Sequence, residues 1–81
     1  MNPTIIDVRE PNEFSESHVS EAVNIPLGDI LSGSAGIFEE PKDTPLVVYC
    51  RSGARASSAV NALEHKGFTN ITNGINPSNP S

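Results

Sequence analysis

The apolar positions of this chain fall in short runs, each cut off by proline, glycine or a cluster of charge. Thr4 to Val8 (TIIDV) is β-branched and apolar, and predicts a buried strand that ends in charge. Pro11 suits the first turn of a helix, and Glu13 in the same turn complements the helix dipole. With Phe14 as an inward anchor, a short helix from Pro11 to Ser17 is expected. Ala22 to Ile25 (AVNI) predicts a second short strand, stopped by Pro26. Between residues 27 and 44, Ile30, Leu31, Ile37 and Phe38 are apolar, but Gly28, Gly33 and Gly36 interrupt any long helix. One or two short helical turns are expected there. Leu46 to Tyr49 (LVVY) is apolar throughout, as a central strand of a parallel sheet should be.

After Gly53 the period changes. Ala56, Ala59, Val60 and Leu63 recur at helical spacing on one face, with Ser57, Asn61 and Glu64 on the other. Gly67 is placed to stop this helix as a C′ glycine, and Phe68 follows where a Schellman cap puts its apolar contact. Phe68 to Thr72 reads as a fourth strand. Strands alternating with helices predict an α/β domain over residues 1–75, with a small, largely parallel sheet flanked by helices. Residues 76–81 (NPSNPS) repeat a polar unit that cannot pack and are expected to form a disordered tail.

Composition narrows the partners. The chain has 81 residues, enough for one small domain, with 36 % hydrophobic and 19 % charged residues. Ten acidic against five basic residues give a net charge of −5, which argues against nucleic acid or an anionic membrane as partner. Any anion site must therefore generate its own local positive field. A single cysteine excludes an intramolecular disulfide and a four-cysteine zinc site, and no metal or organic cofactor is expected. No run approaches the roughly 18 apolar residues of a membrane span, and Met1-Asn2-Pro3 does not open a signal peptide. The expected compartment is the cytoplasm, or the periplasm if a leader was removed before residue 1. The oligomeric state is not readable from the sequence.

That cysteine carries the chemistry. A lone cysteine after an apolar strand is usually a core residue. Here, however, Cys50 is followed by Arg51, Ser52, Gly53, Ala54 and Arg55 and then by a helix. Strand, cysteine, glycine-containing loop and helix place Cys50 at the carboxyl end of a strand, where open α/β sheets bind ligands. Inward-turned loop amides and the helix N-terminus form a nest for negative charge, which favours a nucleophilic sulfur. Arg51 and Arg55 would add cationic donors, and Gly53 allows the loop to close tightly. Cysteine phosphatases use a cysteine, five residues and then arginine, a cradle that fits a tetrahedral phosphate. Four residues separate Cys50 from Arg55, and Ala56 stands at the phosphatase arginine position. The shorter loop suits something smaller, such as one added sulfur atom.

The segments IIDVREPNEF, HVSEAVNIP and VVYCRSGARA together resemble single-domain rhodaneses, thiosulfate sulfurtransferases, and the short length resembles the phage shock protein E type. The likeness runs from about Ile5 to Gly74. It implies a parallel sheet flanked by helices and a cysteine that alternates between thiolate and persulfide. By this match Cys50 is the sulfur acceptor and the backbone amides of Arg51, Ser52, Gly53, Ala54 and Arg55 cradle it. Three departures stand out: Ser17 and Glu21 occupy positions where the family often has glycines around the histidine motif, a glycine pair after the last strand is reduced to Gly74, and no further helix follows.

The resemblance implies a two-step covalent reaction, in which Cys50 takes the outer sulfur of thiosulfate, or of a similar small anionic donor, and passes it to cyanide or a thiol. A non-catalytic rhodanese-like module that binds a partner or relays sulfur is the alternative, and a cysteine phosphatase is a third. Asp7 and Arg9 sit at a strand end that the family places near the active loop; structural ion pairing, for example Arg9 with Glu13, is the expected role. His18 is expected to be a hydrogen-bonded structural residue, and His65 to complement a helix C-terminus.

Overall fold

A computed structural model describes residues 3–50 and 53–74. Arg51, Ser52 and the expected tail at 76–81 lie outside the described residues. The elements are β1 (Thr4–Asp7), α1 (Pro11–Glu16), β2 (Val23–Asn24), α2 (Leu27–Ser32), a 3-10 turn (Gly36–Glu39), β3 (Leu46–Tyr49), α3 (Ala54–His65) and β4 (Ile71–Asn73). The four strands form one parallel sheet in the order β2-β1-β3-β4.

Register follows from the alternation of side chains across a pleated strand. Ile6 lies opposite Val48, and Thr4 opposite Leu46, so Ile6, Val8, Leu46, Val48 and Cys50 share one face. On that face they meet Ala56, Ala59 and Leu63 of α3, Ile30 of α2, Ile37 and Phe68, and this is the core. Asp7 and Tyr49, paired across the two central strands, point to the other face. The two alanines of α3 are fully buried, and their small size lets the helix lie close to the sheet.

Several boundaries differ from the sequence expectations, each for a physical reason. The Schellman cap forms: Gly67 adopts a φ of 103°, Gly67 N donates to Glu64 O at 2.9 Å and Phe68 N to Leu63 O at 3.2 Å. Because Phe68 is consumed by the cap and buried in the core, β4 starts at Ile71 rather than at Phe68. The ladder of β1 ends at Asp7, although Val8 N still donates to Tyr49 O at 3.1 Å. β2 shrinks to Val23–Asn24, with Ile25 N donating to Asp7 O at 2.9 Å.

The helix α1 ends at Glu16 and buries no residue. Phe14 is half-buried and stacks on the His18 ring, 3.8 Å between centroids and 11° between planes, instead of anchoring α1 in the core. His18 Nδ1 donates to Phe14 O at 2.9 Å, so the histidine is hydrogen-bonded locally. Glu21 takes a φ of 85°, and Ala22 N donates to Val19 O at 3.0 Å, closing a tight turn with Glu21 at its third position.

Candidate active site

Cys50 is the first residue beyond β3 and is completely buried. Its face of the strand carries it beneath the first turn of α3, where the amides have no intrahelical acceptor. Gly53 is the N-cap, with a φ of 91° that strongly favours glycine, and the first intrahelical bond runs from Ser57 N to Gly53 O at 2.9 Å. Two of the amides ahead of that bond turn to the sulfur: Gly53 N donates to Cys50 Sγ at 3.0 Å and Ala56 N at 3.3 Å. The sulfur thus sits where a capping side-chain oxygen would accept the third amide of a helix. A thiol serving only to fill an apolar core has no need of two backbone donors, whereas negative charge on sulfur is matched by both.

Of the residues that the sequence assigns to the cradle, Gly53 caps α3 and donates to the sulfur. Ala54 and Arg55 are the first two residues of α3, and their amides, contrary to expectation, make no bond to it. Arg51 and Ser52 lie outside the described residues. Ala56 is not among the residues that the sequence assigns to the cradle, yet its amide is one of the two donors. The pattern that could have revealed it is the helix-capping rule, since the third residue after an N-cap presents its amide to a local acceptor.

Arg55 does not stand alone at the mouth of the cradle. Its Nη1 donates to Glu13 Oε1 at 2.8 Å and its Nη2 to Glu13 Oε2 at 3.1 Å, a bidentate pair joining α3 to α1 across 42 positions of sequence. Glu13 Oε1 also accepts the Glu10 amide at 2.9 Å. Hydrogen bonding from Arg55, then from Glu10, lowers the Glu13 carboxyl to about 2. Glu13 raises the Arg55 guanidinium through the same bond, and negative charge at Cys50 acts on it in the same direction.

The suggested pairing of Arg9 with Glu13 is therefore corrected: Glu13 is taken by Arg55, and Arg9 turns back on Asp7. Arg9 Nε lies 3.0 Å from each Asp7 carboxylate oxygen, Nη2 donates to Oδ2 at 2.7 Å, and the Arg9 amide donates to Oδ1 at 2.9 Å. A further bond from Nη2 to Ser17 O, 2.6 Å, ties this pair to the end of α1. Asn24 Nδ2 donates to Asp7 O and Arg9 O at 3.0 and 2.8 Å, and the Val19 amide donates to the Tyr49 hydroxyl at 3.1 Å. Asp7 is 0 % and Arg9 6 % exposed, so this is a buried ion pair with its polar atoms satisfied. It organises the loops after β1 and α1 that bring Glu13 toward α3.

A family model for the Rhodanese-like domain matches residues 1–75. The chain belongs to the rhodanese-like family. Among its relatives, the thiosulfate sulfurtransferase PspE of Escherichia coli is 35 % identical over 68 residues, covering 84 % of this chain and 64 % of that protein. A mitochondrial protein of Schizosaccharomyces pombe, described as a putative thiosulfate sulfurtransferase, is 35 % identical over 79 residues, covering 85 % of this chain and 56 % of that one. The chain thus spans between about half and two thirds of the length of these curated relatives. Among solved structures, a rhodanese with anions from E. coli superposes with a TM-score of 0.76 at 30 % identity, covering 94 % of this chain and 85 % of that one. A single-domain sulfurtransferase of Saccharomyces cerevisiae gives 0.71 at 27 % identity, covering 93 % and 68 %. In this rhodanese-like domain the expected α/β architecture is present, and its sheet is parallel throughout.

Proposed function

We propose that this domain is a sulfurtransferase in which Cys50 accepts the outer sulfur of thiosulfate and hands it to cyanide or a thiol. The observation that carries the reading is the pair of amides, Gly53 N and Ala56 N, donating to Cys50 Sγ at a helix N-terminus. In the first step the Cys50 thiolate attacks the outer sulfur of thiosulfate, the bond between the two thiosulfate sulfurs breaks with its electron pair going to sulfite, and a Cys50 persulfide anion remains. In the second step cyanide attacks the terminal sulfur, thiocyanate leaves, and the thiolate returns. Charge balances in each step, and no proton must move. The amides serve both anions, because each carries its charge on sulfur at the same helix end.

Support for sulfur transfer comes from the family and from relatives described as thiosulfate sulfurtransferases. A loop of four residues between Cys50 and Arg55 favours a small added group over a phosphate. The test is intact mass after incubation with thiosulfate. The expected result is the gain of one sulfur atom, lost on adding cyanide and absent in Cys50→Ser, whose hydroxyl is not ionised at neutral pH. A protein that binds thiosulfate without gaining mass, or a Cys50→Ser variant that turns over near the parent rate, would refute the mechanism. A persulfide that forms but is released to cyanide only slowly would assign the domain to sulfur relay instead of free turnover.

A further inference from the structure

Among the described residues each guanidinium is matched by one carboxylate. Arg9 is matched by Asp7, which points to the sheet face away from Cys50, and Arg55, in the first turn of the helix whose end holds the sulfur, by Glu13. A donor arriving at Cys50 therefore does not meet Arg55 as a free cation. It meets the Arg55–Glu13 pair, with the Glu13 carboxylate held by both of its oxygens at 2.8 and 3.1 Å from the guanidinium. Among the described residues the groups that bond the sulfur are backbone amides, which supply a dipolar field and not a full charge. Backbone donors suit one negative sulfur atom. They offset less well the second negative charge that a dianionic donor carries away from the reacting atom.

We propose that Glu13 is a specificity-determining residue that selects sulfur donors by charge, holding Arg55 neutralised so that the site discriminates against dianions such as thiosulfate relative to monoanionic sulfane-sulfur donors. This rests on the sulfurtransferase reading above. Glu13 does not touch the reacting atoms and acts through Arg55. Because Coulomb energy scales with the charge of the ligand, removing the Glu13 charge helps a dianion about twice as much, in logarithm of rate, as a monoanion. A mere positioning role for Glu13 would instead change both donors alike.

The experiment compares thiosulfate, a dianion, with an aryl thiosulfonate, a monoanion, cyanide being the acceptor in both cases. Each donor yields the same Cys50 persulfide, with sulfite leaving from the first and an aryl sulfinate from the second, so differences belong to the donor half-reaction. In Glu13→Gln the carboxamide still accepts from Arg55 but carries no charge. The ratio of kcat/KM for thiosulfate over thiosulfonate is expected to rise about three- to tenfold at low ionic strength. That gain should fade in about 1 M salt, where the Debye length is about 3 Å. In Arg55→Gln the ratio falls, because Glu13 is left uncompensated, and in the double variant with Glu13→Gln it recovers toward the parent. That pair decides the matter should Glu13→Gln alone fail to fold. A ratio unmoved by Glu13→Gln, an equal fall for both donors, a gain that survives high salt, or no recovery in the double variant overturns the proposal. A parent protein that forms no persulfide with either donor would instead overturn the sulfurtransferase reading, so the two failures are distinguishable.

Discussion

Glu21 is expected to be the least comfortable residue of the backbone, and Glu21→Gly should stabilise the domain. At a φ of 85° it is the only non-glycine residue described with positive φ. The turn it completes, with Ala22 N donating to Val19 O at 3.0 Å, needs that conformation at its third position. The turn is also pinned from outside, since the Val19 amide is bonded to the Tyr49 hydroxyl and β2 begins two residues after Glu21. The backbone therefore has little freedom to relax. Left-handed geometry costs a non-glycine residue about 1–2 kcal/mol. Glycine removes that cost but gains about 0.5–1 kcal/mol of freedom in the unfolded chain. The Glu21 side chain is exposed and makes no hydrogen bond or ion pair among the described residues, so its loss adds nothing. The net gain is about 0.5–1 kcal/mol, which for a domain of this size is a rise in Tm of about 2–8 °C. Thermal unfolding followed by far-ultraviolet circular dichroism measures it, with Glu21→Ala as the control. Alanine keeps the strain and should stay within about 0.5 kcal/mol of the parent. Equal shifts for glycine and alanine, or a lower Tm for glycine, would show that the turn stores no strain at this position.

Three more outcomes are expected. Arg55→Ala should reduce kcat/KM for thiosulfate about 10- to 100-fold, since a charge-assisted contact is worth about 1.5–3 kcal/mol and Glu13 is left bare beside the site; steady-state kinetics with cyanide as acceptor read it. Leu63→Ala, at a fully buried core position of α3, should destabilise by about 2–5 kcal/mol, measured as a lower urea midpoint with an unchanged m-value. Because Glu13 is held at about 2 in the folded protein against an ordinary 4.5, its pair with Arg55 stabilises above pH 4.5 and is lost as pH falls to 2. Urea midpoints in that window should therefore fall less steeply in Glu13→Gln than in the parent, and identical slopes would contradict the pairing.

What the sequence makes legible is whatever depends on near neighbours. β3 can be read to the residue because LVVY is apolar without interruption, and the end of α3 because Gly67-Phe68 writes a Schellman cap into two positions. The same cap explains the error in β4: an apolar Phe68 looks like the start of a strand until its amide is seen to belong to the helix. The cradle was legible in outline, since strand, cysteine and glycine-led helix are contiguous. Partner choice was not. Glu13 and Arg55 are 42 positions apart, and Arg9 has three acids, Asp7, Glu10 and Glu13, within four positions. Which acid takes which arginine is settled by where α1 comes to rest, and α1, with no buried residue, carries almost no pattern that would fix it. Phe14 misled for the same reason: an aromatic ring in a short helix can seal a neighbouring histidine as readily as a core.

The two buried alanines of α3 have a consequence that reaches the chemistry. The sulfur belongs to the sheet layer and the Ala56 donor to the helix layer, so the 3.3 Å between them gauges how far the two layers stand apart. Ala56 and Ala59 are the spacers, one helical turn apart and in contact with the core below. A bulkier spacer at Ala59 would lift the helix like a shim and lengthen the amide–sulfur bond without touching the reaction centre. Warming should act in the same sense: as the layers loosen, electrostatic support for the sulfur weakens while the fold still stands. In this domain reactivity is set partly by a thickness, and activity should begin to decline at temperatures below the melting transition.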